Sequence, residues 1–251
     1  MHVFMKRLIF LVGAVLVLLL ASFTYHRLAL QREKASLKPM GQMVSVNGHD
    51  MSVFVKGDGP QTLVFLSGPY IILSHSMASL ETLLWQEKYP SEVKAIIGLD
   101  WAIPESSSHL TMHPQLLRLA RWGSQLGLLR YLPKSLYVPN DNLSSSDRRL
   151  YQRIAYRQIL SKAMLNESLS VKKNAKKVAS SIDSQIPTLL MVSNGEGTSF
   201  SQEEWRQYAT SFSKDQKNIE VTFYDAPHYL YHYRTKEVTE KIEEFIKKTT
   251  E

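Results

Sequence analysis

Short apolar runs alternate along this chain with longer stretches of amphipathic, helix-like spacing, and the first apolar run stands apart from the rest. Leu8 to Phe23 is a 16-residue stretch without a charge, preceded by Lys6-Arg7 and followed by Tyr25 and Arg27. At ~1.5 Å per residue it falls somewhat short of a ~30 Å hydrocarbon core, and Tyr25 with a snorkelling Arg27 completes the span. No clean small-x-small cleavage site follows, which favours an uncleaved membrane anchor over a removed signal peptide. The expectation is an anchor over residues 1–25, entering the membrane through residues 8–25, then a polar stalk over residues 26–42. A short N-terminal tail leaves the remaining chain on the extracytoplasmic side.

From residue 43 onward the periods are those of strands and helices. Met43–Val46 and Met51–Val55 flank Asn47-Gly48, a strong hairpin signal. Thr62–Leu66 is continuously apolar, as in a strand buried on both faces, and Tyr70–Leu73 is a second such run. Met77–Tyr89 reads as a helix stopped by Pro90. Val93–Leu99 is another buried strand, ending in Asp100. Residues 105–183 are mostly helical, with a break around Pro133–Ser146. Thr188–Val192 is a strand; Ser201 with Glu204 forms a capping box for a helix to about Phe212. An alternating run begins at Ile219, and a helix pattern runs from Thr235 to Lys248. Strands alternating with helices predict an α/β fold with a mostly parallel sheet: one domain over residues 43–251 with a helical insert at about 105–183.

Composition changes this picture little. Residues 1–42 hold six basic residues against Glu33, a local charge of +5; the remaining 24 basic and 22 acidic residues leave +2. The globular part is therefore nearly balanced and offers no basic stripe for nucleic acid. Cysteine is absent, which excludes disulfides and thiolate metal sites. None of the eight histidines has metal-ligand spacing with carboxylates of the His-Glu-x-x-His kind, and no glycine-rich phosphate loop follows a strand, which argues against a nucleotide-binding α/β protein.

The candidate chemistry sits at the ends of the strands. An apolar strand runs into Ser74-His75-Ser76-Met77-Ala78 and turns at once into a helix, the context of a nucleophile elbow that holds a serine hydroxyl exposed above a sheet. Ser74 and Ala78 stand where glycines are usual; both are small, so the turn is crowded but feasible. Late in the chain the strand-like run from Ile219 ends in Asp225-Ala226-Pro227-His228. His232 lies deeper in the following segment, His75 is turned away by the elbow, and His109 and His113 fall in or near the insert. Asp225 is too near His228 in sequence and reads as a turn residue.

Serine early and histidine last, each just past a strand, resembles the α/β-hydrolase superfamily over roughly Gly41 to Glu251, and is most similar to small bacterial members with a membrane segment and a helical cap. The resemblance implies a Ser-His-acid triad with Ser76 as nucleophile and His228 as base, acting on an ester, thioester or amide of a small or lipid-like acyl compound, with no cofactor. Two residues compete for the acid, with Asp100 the expected one and Glu196 second. Asp100 ends the strand after the elbow in Gly98-Leu99-Asp100; Glu196 follows the next strand, beside Asn194, which can orient an imidazole but carries no charge. The oxyanion hole of the family would fall to the backbone N–H of Met77 and to the loop at Ser67-Gly68.

One piece is missing. Thr62–Leu66 passes to Tyr70–Leu73 through Ser67-Gly68-Pro69 alone. Adjacent parallel strands need a crossover of about 12 residues or more, whereas three residues reach only ~10 Å. Relative to the family a helix–strand–helix segment of about 50 residues is absent, the size of a βαβ unit plus a strand. The fold is thus expected to be truncated and the oxyanion hole one donor short. The competing expectation for function is an impaired or inactive remnant with a membrane-associated binding role.

Overall fold

The computed structural model describes residues 2–34, 37, 42–46, 49–53, 69–134, 137–138, 143–178 and 182–250. In chain order these form α1 (His2–Lys34), β1 (Gln42–Val46), β2 (His49–Val53), β3 (Tyr70–His75), α2 (Ser79–Lys88), β4 (Val93–Leu99), α3 (Pro104–His109), α4 (Pro114–Gln125), α5 (Ser145–Gln158), α6 (Lys162–Ala175), β5 (Thr188–Val192), α7 (Gln202–Ser213), β6 (Ile219–Phe223), α8 (Leu230–Tyr233) and α9 (Thr235–Thr250). They divide into two compact units. One holds α1, β1, β2, α4 and α5; the other holds β3 through α3, most of α6, and β5 through α9.

The second unit is a parallel sheet in the order β3-β4-β5-β6. Its central strands are apolar on both faces because both faces are covered. Ile96, Leu190 and Val192 pack with Leu83 of α2 and Trp205, Ala209 and Phe212 of α7. Ala95, Ile97, Leu99, Leu189 and Met191 pack with Leu230, Val238 and Phe245 of the last helices. Each fully buried Leu or Ile contributes roughly 1.5–3 kcal/mol. The capping box at Ser201 and Glu204 is formed and fixes the start of α7. Among the described residues β3 is an edge strand of this sheet. Thr62–Leu66 and the Ser67-Gly68-Pro69 link lie outside the described residues, apart from Pro69 itself.

The hairpin is present, antiparallel with Val46 opposite His49 across Asn47-Gly48, one to two residues displaced from the predicted strand limits. The stalk expected from residue 26 is instead helical to Lys34. Leu28, Ala29, Leu30, Gln31, Arg32 and Glu33 are all good helix formers or near-neutral ones, so nothing ends the helix at the membrane boundary. Its last turns also have partners. Ser22 Oγ donates to the Leu126 carbonyl at 2.7 Å, and the Arg130 guanidinium forks onto the two Glu33 carboxylate oxygens at 2.8 and 2.9 Å. Gly127 has φ +82° and lies so close to His26 that a Cβ would come within 2.6 Å of its side chain. Leu126, Gly127 and Arg130 thus meet α1, and α4 and α5 fall in the same compact unit as α1. The helix over Phe4–Lys34, with mean hydropathy 2.5 in its most apolar window, is long and apolar enough to cross a membrane, as a signal sequence also would be.

Candidate active site

β3 ends at His75 and a single 3-10 turn, Ser76–Ala78, leads directly into α2. Ser76 has φ +55°, the left-handed region that costs a non-glycine residue of order 1–3 kcal/mol. Such strain persists because the surroundings fix it. The Ser76 carbonyl accepts from the Ala102 amide at 3.1 Å, and Ser79 Oγ donates to the Ala102 carbonyl at 2.7 Å. The crowding expected at Ser74 is resolved by hydrogen bonds: its Oγ accepts from Thr82 Oγ1 at 2.8 Å and from Trp101 Nε1 at 2.9 Å. Trp101 reaches it only because residue 98, opposite Ser74 in the sheet, is glycine. A Cβ there would sit 2.8 Å from the indole ring and 2.7 Å from Leu190.

Asp100 is fully buried and also has a positive φ, +46°. Its Oδ1 accepts from the Ser193 amide at 2.7 Å and from Trp205 Nε1 at 2.8 Å; its Oδ2 accepts from Ser193 Oγ at 2.7 Å and from His228 Nδ1 at 2.5 Å. A carboxylate without a proton of its own can only accept, so the proton on that imidazole sits on Nδ1. Nε2 is left to accept from Ser76 Oγ, 2.8 Å away. His228 is held from its main chain too: its amide donates to the Glu196 carbonyl at 2.7 Å, and Gly197, with φ +88°, passes close beneath its Cβ.

The structure therefore brings Ser76, His228 and Asp100 together. The Glu196 side chain is exposed, and its described hydrogen bonds run through its backbone. Asn194 Nδ2 donates to Asp225 Oδ1 at 3.3 Å, an arrangement of the loop rather than of the imidazole. Met77 follows Ser76 in the turn and lines the same cavity; Gly68 lies outside the described residues. Ser193 and Trp205 were not singled out in the sequence. Ser193 directly follows β5, the one available hint; nothing local marks Trp205. His75 also takes a different part. Its ring lies against His228: the two ring centroids are 4.6 Å apart, and its Nε2 is 3.1 Å from the His228 carbonyl oxygen. Burial, then the neighbouring His228, holds the His75 imidazole below its usual pKa, so it is neutral and donates to that carbonyl.

Beside Ser76 is a cavity of about 190 Å³ lined by Met77, Leu110, Val171, Phe200 and Trp205. Of the hydroxyls on its wall, Ser106 donates to the Ile103 carbonyl and Thr198 to the Gly195 carbonyl. Its free surface is thus mainly apolar. Among the described residues no group of three or more His, Cys, Asp or Glu side chains is placed to hold a metal ion.

No protein-family model matches the chain. The uncharacterized protein YbdG of Bacillus subtilis (strain 168) is 24% identical, with 96% of this chain and 97% of the relative aligned. That alignment extends over 320 residues while this chain has 251, so dozens of the relative's positions face no residue here. Among solved structures, a probable hydrolytic enzyme of Pseudomonas aeruginosa PAO1 is similar at a TM-score of 0.51 and 13% identity, covering 71% of this chain and 63% of that one. An epoxide hydrolase of Bacillus megaterium (TM-score 0.50, 15% identity, 72% and 70% covered) and a haloalkane dehalogenase variant of Bradyrhizobium elkanii (0.50, 14%, 73% and 68%) are similar in the same way. The fold is that of the α/β-hydrolases. This chain spans less than two thirds of the length of the Pseudomonas protein.

Proposed function

We propose that this chain is a serine hydrolase that cleaves an ester, thioester or amide of a small or lipid-like acyl compound. The observation that carries the reading is the relay from Asp100 through His228 to Ser76, at 2.5 and 2.8 Å. Ser76 Oγ bonds to the acyl carbon as His228 Nε2 takes the hydroxyl proton. Asp100 steadies the imidazolium by its charge and keeps the ring oriented. The imidazolium then protonates the leaving oxygen, sulfur or nitrogen as its bond to the acyl carbon breaks. Water attacks the acyl-serine, gives a proton to Nε2, and that proton returns to Ser76 Oγ. The Met77 amide is the proposed oxyanion donor, with Gly68 as the second. The small apolar cavity favours a short or slim acyl group, whose burial needs no polar partner. No cofactor enters any step.

The alignment over more positions than this chain possesses favours a second reading of the same site, in which turnover is slow. Losing one oxyanion donor can cost on the order of 10²–10³ in rate. Both readings are tested by p-nitrophenyl acetate turnover of the purified chain. Ser76→Ala and His228→Ala should each abolish it; activity retained in Ser76→Ala would remove the serine from the mechanism. A measurable but weak wild-type rate supports the slow reading.

Membrane attachment is part of the proposal. Full-length protein should stay with membranes after a carbonate wash, with the hydrolase unit on the extracytoplasmic face. N-terminal sequencing that begins beyond Phe23 would instead identify a cleaved signal peptide.

A further inference from the structure

The first compact unit contains a second cavity, of about 370 Å³, between the end of α1 and the C-terminal ends of α4 and α5. Its volume lies in the range of small-molecule sites. Its wall carries Arg27, Arg121, Arg157 and Lys162, together with His26 and Tyr156, and no carboxylate. The acid on α1, Glu33, accepts the Arg130 fork and is not among the residues that line the cavity. Arg130 Nε also donates to His26 Nδ1 at 2.9 Å.

Two of the guanidiniums are built into place rather than waving in solvent. Arg121 Nη1 donates to the Leu160 carbonyl at 2.6 Å, and Arg157 Nη2 donates to the Leu30 carbonyl. Arg157 Nε is buried and has no hydrogen-bond partner. A buried N–H without an acceptor is costly and rare in a folded protein, and on a cation the cost is greater. Like charges fixed in one concavity also repel, unless an anion joins them. The set is therefore incomplete without an acceptor carrying negative charge. A planar guanidinium donates in a fork that matches phosphate oxygens.

The place of the cavity narrows the ligand further. Ser22, His26, Leu30 and Glu33 lie at helical spacing on one face of α1, and that face is bonded to α5 and to Leu126 and Arg130 beyond α4. The last turns of α1 are thus packed against protein and follow directly on the uncharged run Leu8–Phe23. A span that ends there sets the cavity at headgroup depth, where basic residues meet lipid phosphates. Tyr25 and Trp122, both more than half exposed, are the residue types of a membrane interface. The helix that supplies Arg121 also exposes Leu116 and Leu119.

We propose that this cavity binds a phosphate-bearing anion, with the headgroup of an anionic phospholipid as the form that α1 brings to it. Arg157 Nε is the donor that the phosphate completes; Arg121, Arg27 and Lys162 supply charge around it. The site is separate from Ser76 and binds whether or not the relay turns over substrate.

The test uses the full chain, delipidated in a neutral detergent, with binding followed by isothermal titration calorimetry. The probes are short-chain phosphatidylglycerol, short-chain phosphatidylcholine and inorganic phosphate. Phosphatidylglycerol should bind about tenfold or more tightly than phosphatidylcholine, whose headgroup bears no net charge. Arg157→Gln should weaken it by about tenfold, since a hydrogen bond to a charged group is lost. Lys162→Gln and Arg27→Gln, at exposed positions, should each weaken it by about threefold and keep the test readable if Arg157→Gln does not fold. Inorganic phosphate binding with the same dependence on these residues, without preference for the lipid, would retain the anion site and assign it a soluble ligand. Equal binding of the two lipids with no binding of phosphate, or wild-type affinity in the arginine and lysine variants, would overturn the proposal.

Discussion

β3 and β4 lie side by side in one parallel sheet and carry opposite ends of the Ser76–His228–Asp100 relay, yet they are held in different ways. Six of the seven residues of β4 are buried, whereas none of the six in β3 is, and Leu73 is 51% exposed. At the end of β4, Asp100 is clamped by four donors inside the core. At the end of β3, the turn at Ser76 leans on its neighbours through Ser74, Thr82 and Trp101. Both residues adopt a strained positive φ, but only one is locked by burial. His228 and Asp100 are thus held from the core, and Ser76 by a strand that is an edge among the described residues.

The comparison breaks most sharply at Asp100. Asp100→Asn should lower kcat/KM by about 10⁴-fold, because the charge that steadies the imidazolium is lost, while Glu196→Gln should stay near wild type. Steady-state kinetics on the two folded variants checks this, and the reverse ranking would move the acid to Glu196. Next comes Gly98, the position where the two strands touch through Trp101. Gly98→Ala should destabilise the chain by about 1–3 kcal/mol in urea unfolding, by overpacking against Leu190 and the indole. It should also slow phosphonate labelling, since the indole that holds Ser74 is displaced.

Acid should act through the imidazoles packed near the relay. Burial, and for His75 also His228, lowers the folded pKa of His75 and His232 below the ordinary 6.5. The unfolded chain therefore takes up protons near 6.5 that the folded chain refuses. Their contribution is intact above 6.5 and is lost as pH falls from there toward the lowered folded values. Chemical unfolding at pH 7.5, 6.5 and 5.5 should show that decline, and His75→Gln should flatten it. The smallest effect belongs to the exposed edge. Leu73→Thr should change stability by no more than ~0.5 kcal/mol, whereas Leu190→Thr in β5 should cost several-fold more.

The same contrast explains what the sequence made legible. β4 and β5 could be placed residue for residue because burial on both faces leaves a mainly apolar run, broken in β4 only by the exposed Lys94. The capping box announced α7, since its two bonds are local. Ser76 and His228 could be nominated from their positions after strands. Asp100 was preferred to Glu196 only from its Gly98-Leu99-Asp100 context; the deciding bond joins residues 128 apart, and depends on a positive φ that no neighbouring residue encodes. Ser193 and Trp205 were missed for the same reason. The sequence did not show that α1 continues to Lys34, because Leu30 and Glu33 find partners more than 90 residues away.

The central claim is that an edge-borne Ser76 is activated by a core-held His228–Asp100 pair. The most direct measurement is treatment of the full-length protein with a fluorophosphonate, followed by peptide mass mapping. The account predicts one adduct, on Ser76, formed by the wild type and lost in both His228→Ala and Asp100→Asn. An adduct on another serine, or labelling of Ser76 that is unchanged without His228, would contradict it.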